Sequence, residues 1–133
     1  MYILGMFGPG ENPSAALLKN GKLVALVEEE RLNRIKMSPH SLPIDAAKKC
    51  LKIANININN VSEIGWGWDC PKYVKYLTKI NKEIKDKKDY NFLQNELNKN
   101  LYNPIRIKRA LKIGFSDQLK TKLPKINFFT HHL

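Results

Sequence analysis

The spacing of apolar positions changes character twice along the chain. Tyr2-Ile3-Leu4-Gly5-Met6-Phe7 is a short apolar run, too brief for a helix, and predicts a buried strand. Phe7 to Pro13 (FGPGENP) is a turn-rich loop. Two more short apolar runs, Ser14–Lys19 and Lys22–Glu28, flank Asn20-Gly21. Asn and Gly both tolerate positive φ, so this dipeptide between apolar runs predicts a hairpin. The first 28 residues thus predict a three-strand meander.

From Leu42 onward the period lengthens. Ile44, Ala47, Leu51 and Ala54 fall on one stripe, which predicts a helix over 42–54 with Ser41 as its N-cap. Asn55–Val61 reads as a polar connector and Ile64–Asp69 as a strand running into a loop at Cys70-Pro71. Gly65 and Gly67 within it point to something packed close against the backbone. Trp66 and Trp68, two apart, are expected on one side of that strand and packed on a helix. Tyr73, Tyr76, Leu77, Ile80 and Ile84 predict a helix over 73–84. Phe92, Leu93, Leu97 and Leu101 predict another over about 90–101. Asn103-Pro104 is a start signal for a third, which Gly114 can end. Ile126–Phe129 is a closing strand, followed by Thr130-His131-His132-Leu133. Strands and helices in this order predict an α/β domain. A chain that stops so soon after a buried-looking strand, on a His-His pair, is expected to be cut rather than finished.

Composition narrows the class without changing that outline. The 133 residues suit one domain, and 43% hydrophobic residues are enough for a core. No run of about 18 apolar residues offers a membrane span. The opening residues lack the basic region, apolar stretch and cleavage site of a signal peptide. Cys50 and Cys70 have no CxxC spacing and are too few for a disulfide scaffold. A cytoplasmic protein with no membrane partner is the expectation. Charge is unevenly placed: residues 1–70 carry 8 Lys/Arg against 7 Asp/Glu, whereas residues 71–133 carry 15 against 5. A basic half can attract nucleic acid. Its lysines, however, sit at many helical angles with few aromatic residues among them, so solvated helix faces are the preferred reading. Nucleic acid is not an expected partner.

Three stretches hold candidate chemistry. In the loop after the first strand, Gly8, Gly10 and the prolines leave backbone N–H groups able to face an anion, and Asn12 and Ser14 add side-chain donors. In Glu28-Glu29-Glu30-Arg31-Leu32-Asn33-Arg34-Ile35-Lys36, strand alternation is expected to put Glu28 and Glu30 on one face and Glu29 on the other. Arg31, Arg34 and Lys36 then supply three cations within six residues, suited to phosphate or carboxylate. On composition alone, a solvated and internally compensated hairpin end accounts for the same run. The adjacent pair His131-His132 does not chelate one metal unaided and needs distant ligands.

Together these pieces resemble a family. "NPSAALLKNGKLVALVEEERLNRIK" is similar to the N-terminus of the carbamoyltransferases of the nodulation-factor and antibiotic-tailoring type, which read SAALL, a polar-Gly turn, then an apolar strand into EEERFTRxKH. "IGWGWDCP" resembles that family's next strand, and "FFTHHL" the strand leading into its HHxxHA motif. The resemblance implies a partial ribonuclease H-like (actin-like ATPase) lobe. It also implies that the chain, 1–133, is the N-terminal part of a longer enzyme whose remaining part belongs to the same or a separate polypeptide. The implied activity makes a carbamoyl-adenylate from carbamoyl phosphate and ATP with Mg, then transfers the carbamoyl group to a hydroxyl acceptor. A bound iron or other divalent metal assists. Carried over, Lys36 matches the family's catalytic lysine at carbamoyl phosphate. Arg31 and Arg34 match the EEERFTR arginines that either support the acidic run or contact anions, and His131, with its neighbour His132, matches the metal-binding position. The loop donors Asn12 and Ser14, read from the residues themselves, join Arg31 and Arg34 as expected substrate contacts. Glu11 stands where many members have His. The chain alone is expected to be inactive. A basic nucleic-acid-binding domain and a non-catalytic interaction domain are the competing readings.

Overall fold

The computed structural model describes residues 1–10, 12–33 and 41–130. Among them a five-stranded sheet has the order β3-β2-β1-β4-β5. Strands β1 (Tyr2–Phe7), β2 (Ser14–Lys19) and β3 (Lys22–Glu28) form the predicted meander, with Asn20 and Gly21 both at positive φ in the turn. Strand β4 (Val61–Trp66) lies parallel to β1, and β5 (Lys125–Phe128) parallel to β4. A short helix α1 (Glu30–Asn33) and a longer one, α2 (Ile44–Ile53), lie between β3 and β4; α3 (Cys70–Lys82), α4 (Tyr90–Leu101) and α5 (Pro104–Gly114) lie between β4 and β5.

Alternation decides which face of the sheet is covered. Leu4 and Met6 of β1, Ala15 and Leu17 of β2, and Ile64 and Trp66 of β4 point to one side and are buried. Against them pack Ala46, Ala47, Cys50 and Leu51 of α2, and Ile107 and Leu111 of α5 with the following Phe115. Gly114 allows α5 to meet α2: a Cβ there would lie 2.7 Å from the Ile44 side chain. The opposite face holds an open groove of about 300 Å³, lined by Gly5, Ala16, Gly65, Leu26 and Phe129 among others, with Leu26 63% exposed.

Several expected boundaries shift, each for a local reason. Strand β4 begins at Val61, not Ile64, because β1 offers pairing from Tyr2 onward. It ends at Trp66, so Trp68 does not share a strand face with it. The chain turns there because Asp69 caps α3, accepting from the Lys72 amide at 3.2 Å, with Pro71 in the first turn. That start lies three residues before the expected Tyr73. Helix α2 begins at Ile44 and is preceded by Pro43; Ser41 is not its N-cap. The apolar positions Phe92, Leu93, Leu97 and Leu101 of α4 and Tyr76 of α3 are not core residues: no α4 residue is buried, and Tyr76 is 58% exposed. Strand periodicity also stops earlier than expected near Glu30, which begins α1 instead of continuing β3. No helix among the described residues is long and apolar enough to cross a membrane.

Candidate functional site at the carboxyl end of the sheet

The strand register gathers one end of the sheet into a small area. Phe7 at the end of β1 pairs with Ser14 at the start of β2, which pairs with Glu28 at the end of β3. Met6 pairs with Trp66, and Trp66 with Phe128. The loop residues 8–10, 12 and 13, helix α1 and residues 67–69 therefore emerge side by side beyond the carboxyl ends of the parallel strands. Open α/β sheets bind ligands at that end.

Three donors from distant parts of the chain hold the loop. The Trp66 Nε1–H donates to the Gly8 carbonyl at 2.8 Å, the Tyr102 hydroxyl to the Pro9 carbonyl at 2.8 Å, and the Glu29 amide to the Pro13 carbonyl at 2.9 Å. The Pro9–Gly10 peptide is trans, so the Gly10 N–H points the opposite way from the Pro9 carbonyl, away from Tyr102. Gly8, Gly10 and Asn12 all take positive φ, the last at +56°. Gly10 cannot gain a side chain cheaply, since a Cβ there would come within 3.2 Å of the Tyr102 hydroxyl. Tyr102 sits in an aromatic cluster with Trp68 and Tyr73. Burial first, then the neighbouring Tyr73 and Cys70, push its pKa up, so the phenol stays a proton donor at neutral pH. Tyr102→Phe is expected to cost about 1 kcal/mol and to leave the Pro9 carbonyl without this donor. A denaturant melt of the two proteins checks it.

Glu29 is the buried charge of the site, 4% exposed. Its Oε1 accepts the Ala46 amide at 2.8 Å, so it caps α2 from outside that helix, a position where no local side chain does so. Burial raises its pKa and the nearby Asp45 adds to the rise, while the Ala46 hydrogen bond opposes it. One residue thus ties the end of β3, the loop at Pro13 and the start of α2.

The structure places the sequence candidates as follows. Asn12 is exposed in the loop; Ser14 is half-buried as the first residue of β2. Arg31 is on α1 with its side chain 79% exposed, and its Nε lies 3.9 Å from Glu28. Ser14, Glu28 and Arg31 are therefore neighbours. Glu11, Arg34, Lys36, His131 and His132 lie outside the described residues. Among the described residues no group of three His, Cys, Asp or Glu side chains is placed to hold a metal ion. Burial pushes the Cys70 thiol up to about 12 and raises Cys50 as well, so neither is a nucleophile at neutral pH. Trp66, Tyr102 and Glu29 were not legible as site residues. Gly65-Trp66-Gly67 signalled close packing but not a hydrogen bond to the loop, and Tyr102 lies 93 positions from its partner Pro9.

No protein-family model matches the chain. It is 38% identical over 55 residues to an uncharacterized 19.2 kDa protein in the syrM 5' region of Rhizobium etli, an alignment covering 41% of this chain and 32% of that protein. It is 40% identical over 53 residues to nodulation protein NolNO of Sinorhizobium fredii (strain NBRC 101917 / NGR234), covering 40% of this chain and 8% of that protein. The alignments thus take in less than a third of either relative. Among solved structures, YeaZ from Pseudomonas aeruginosa is similar at 19% identity and a TM-score of 0.39, over 50% of this chain and 30% of that one.

Proposed function

We propose that the chain is the N-terminal lobe of an ATP-dependent O-carbamoyltransferase, with its anion site beyond the carboxyl end of the sheet. The observation that carries the reading is the convergence there of a pinned, Gly-rich loop with Ser14 and Arg31. The similarity to nodulation protein NolNO supports it from the sequence side. The hairpin-first sheet with two further parallel strands supports a ribonuclease H-like, actin-like lobe.

In this reading the loop amides, the Asn12 and Ser14 side chains and the Arg31 guanidinium bind the phosphate of carbamoyl phosphate. By the resemblance, Arg34 is assigned to the same anion and Lys36 to the displaced phosphate, where a cation offsets developing charge. Water cleaves the P–O bond of carbamoyl phosphate, releasing phosphate and carbamate. A carbamate oxygen attacks the α-phosphate of ATP and pyrophosphate leaves. The acceptor hydroxyl then attacks the carbamoyl carbon and AMP leaves. By the resemblance, His131 and His132 are the proposed metal ligands; the described residues supply no further ligand set, and no step is derived through the metal. The rest of the enzyme supplies the remaining nucleotide contacts and the acceptor site.

Titration calorimetry with carbamoyl phosphate tests the anion site directly. Arg31→Ala and Ser14→Ala are each expected to weaken binding about tenfold or more, the usual loss for a hydrogen bond to a charged group. Equal affinity in all three proteins would move the site elsewhere.

A further inference from the structure

The lysines of α3 are not scattered. Lys72, Lys75, Lys79 and Lys82 recur at i, i+3, i+7 and i+10 and so share one helix face. With Tyr76 and Thr78 they line an open groove of about 590 Å³ whose walls contain no carboxylate. None of the four pairs with a described Asp or Glu, whereas Lys48 and Lys99 elsewhere do, with Asp117 and Glu96. The Thr78 hydroxyl is turned back to the Val74 carbonyl at 2.8 Å, leaving the phenol ring of Tyr76 as the prominent uncharged feature. Four cations in a row repel one another, a cost that a helix face ordinarily relieves with interspersed acids.

We infer that this face binds a single-stranded phosphodiester chain, RNA or DNA, across the four ammonium groups with a base stacked on Tyr76. The ammonium groups span about 15 Å along the helix, enough to track several successive phosphates. A stripe of cations with an exposed ring among them is the pairing that non-sequence-specific strand binding uses, with charge for the backbone and a π-face for any base. An anionic membrane fits less well, because the groove offers no apolar side chain to insert besides Tyr76. This site stands apart from the carboxyl-end site and does not depend on it.

Fluorescence anisotropy of the whole chain with labelled oligo(U) and oligo(dT) tests the inference. Binding is expected at low salt, with log affinity falling against log salt at a slope of about −3, set by four phosphate contacts on a single strand. Lys75→Glu with Lys79→Glu should abolish it while the thermal melt stays that of the parent. Tyr76→Ala should weaken it roughly tenfold with the salt slope retained, and Tyr76→Phe should restore it. No binding at low salt, or binding that survives the two charge reversals, overturns the inference. If polyglutamate competes as well as oligo(U) and Tyr76→Ala has no effect, the face belongs to an acidic protein partner and the nucleic-acid inference is wrong.

Discussion

Trp66→Ala is expected to cost about 3–5 kcal/mol, the range for emptying a buried aromatic position, and to disorder the loop that follows β1. Trp66 is fully buried, and its indole N–H is the donor to the Gly8 carbonyl. The substitution therefore opens a cavity beneath β1 and β4 and leaves a buried carbonyl unsatisfied in one step. Trp66→Phe separates the two effects. It refills most of the volume but cannot donate, so its expected loss is about 1–3 kcal/mol. Urea unfolding of the three proteins gives the stability order wild type, Phe, Ala. Calorimetry with carbamoyl phosphate adds the functional half: the phenylalanine protein should remain folded yet bind more weakly than the parent.

Glu29 gives the second large effect, with a pH signature. Glu29→Ala removes the acceptor for the Ala46 amide, the side-chain cap of α2 among the described residues, and is expected to cost about 2–3 kcal/mol. Glu29→Gln keeps an acceptor oxygen and removes the charge. Because burial raises the folded pKa of Glu29 above its unfolded value, the favourable contribution is complete below the unfolded pKa and is lost as pH rises through the folded one. The glutamine protein should therefore match the parent in acid and become the more stable of the two toward neutral pH. Melts across a pH series show it. A parent that gains on the glutamine protein as pH rises would mean that the Ala46 hydrogen bond outweighs burial.

These two residues also mark the limit of what the residues alone disclose. The Asn20-Gly21 hairpin and the Asn103-Pro104 start of α5 were legible, because each depends on φ preferences or caps local to a few positions, and α4 over 90–101 was legible from the helical spacing of Phe92, Leu93, Leu97 and Leu101. The burial of Glu29 was not. Strand alternation was extended two residues too far, to Glu30, and the helix end that needs the Glu29 carboxylate lies 17 positions on. Tyr76 shows the complementary limit: helical spacing grouped it with Leu77 and Ile80 without saying which way each faces, and α3 turns Tyr76 outward among lysines while Leu77 is buried. Ser14 and Arg31 were named from the chain, while their nearness through Glu28 follows from sheet register.

Carbamoyl-phosphate-dependent turnover of ATP, read as pyrophosphate release, tests the central claim most directly. The assay compares this chain alone with the chain supplemented by a polypeptide carrying the proposed remaining part of the enzyme. The account predicts no turnover by the chain alone, turnover on addition, and its loss when Lys36 is replaced by Ala. Turnover that is absent in both cases, or that Lys36→Ala leaves unchanged, would contradict it.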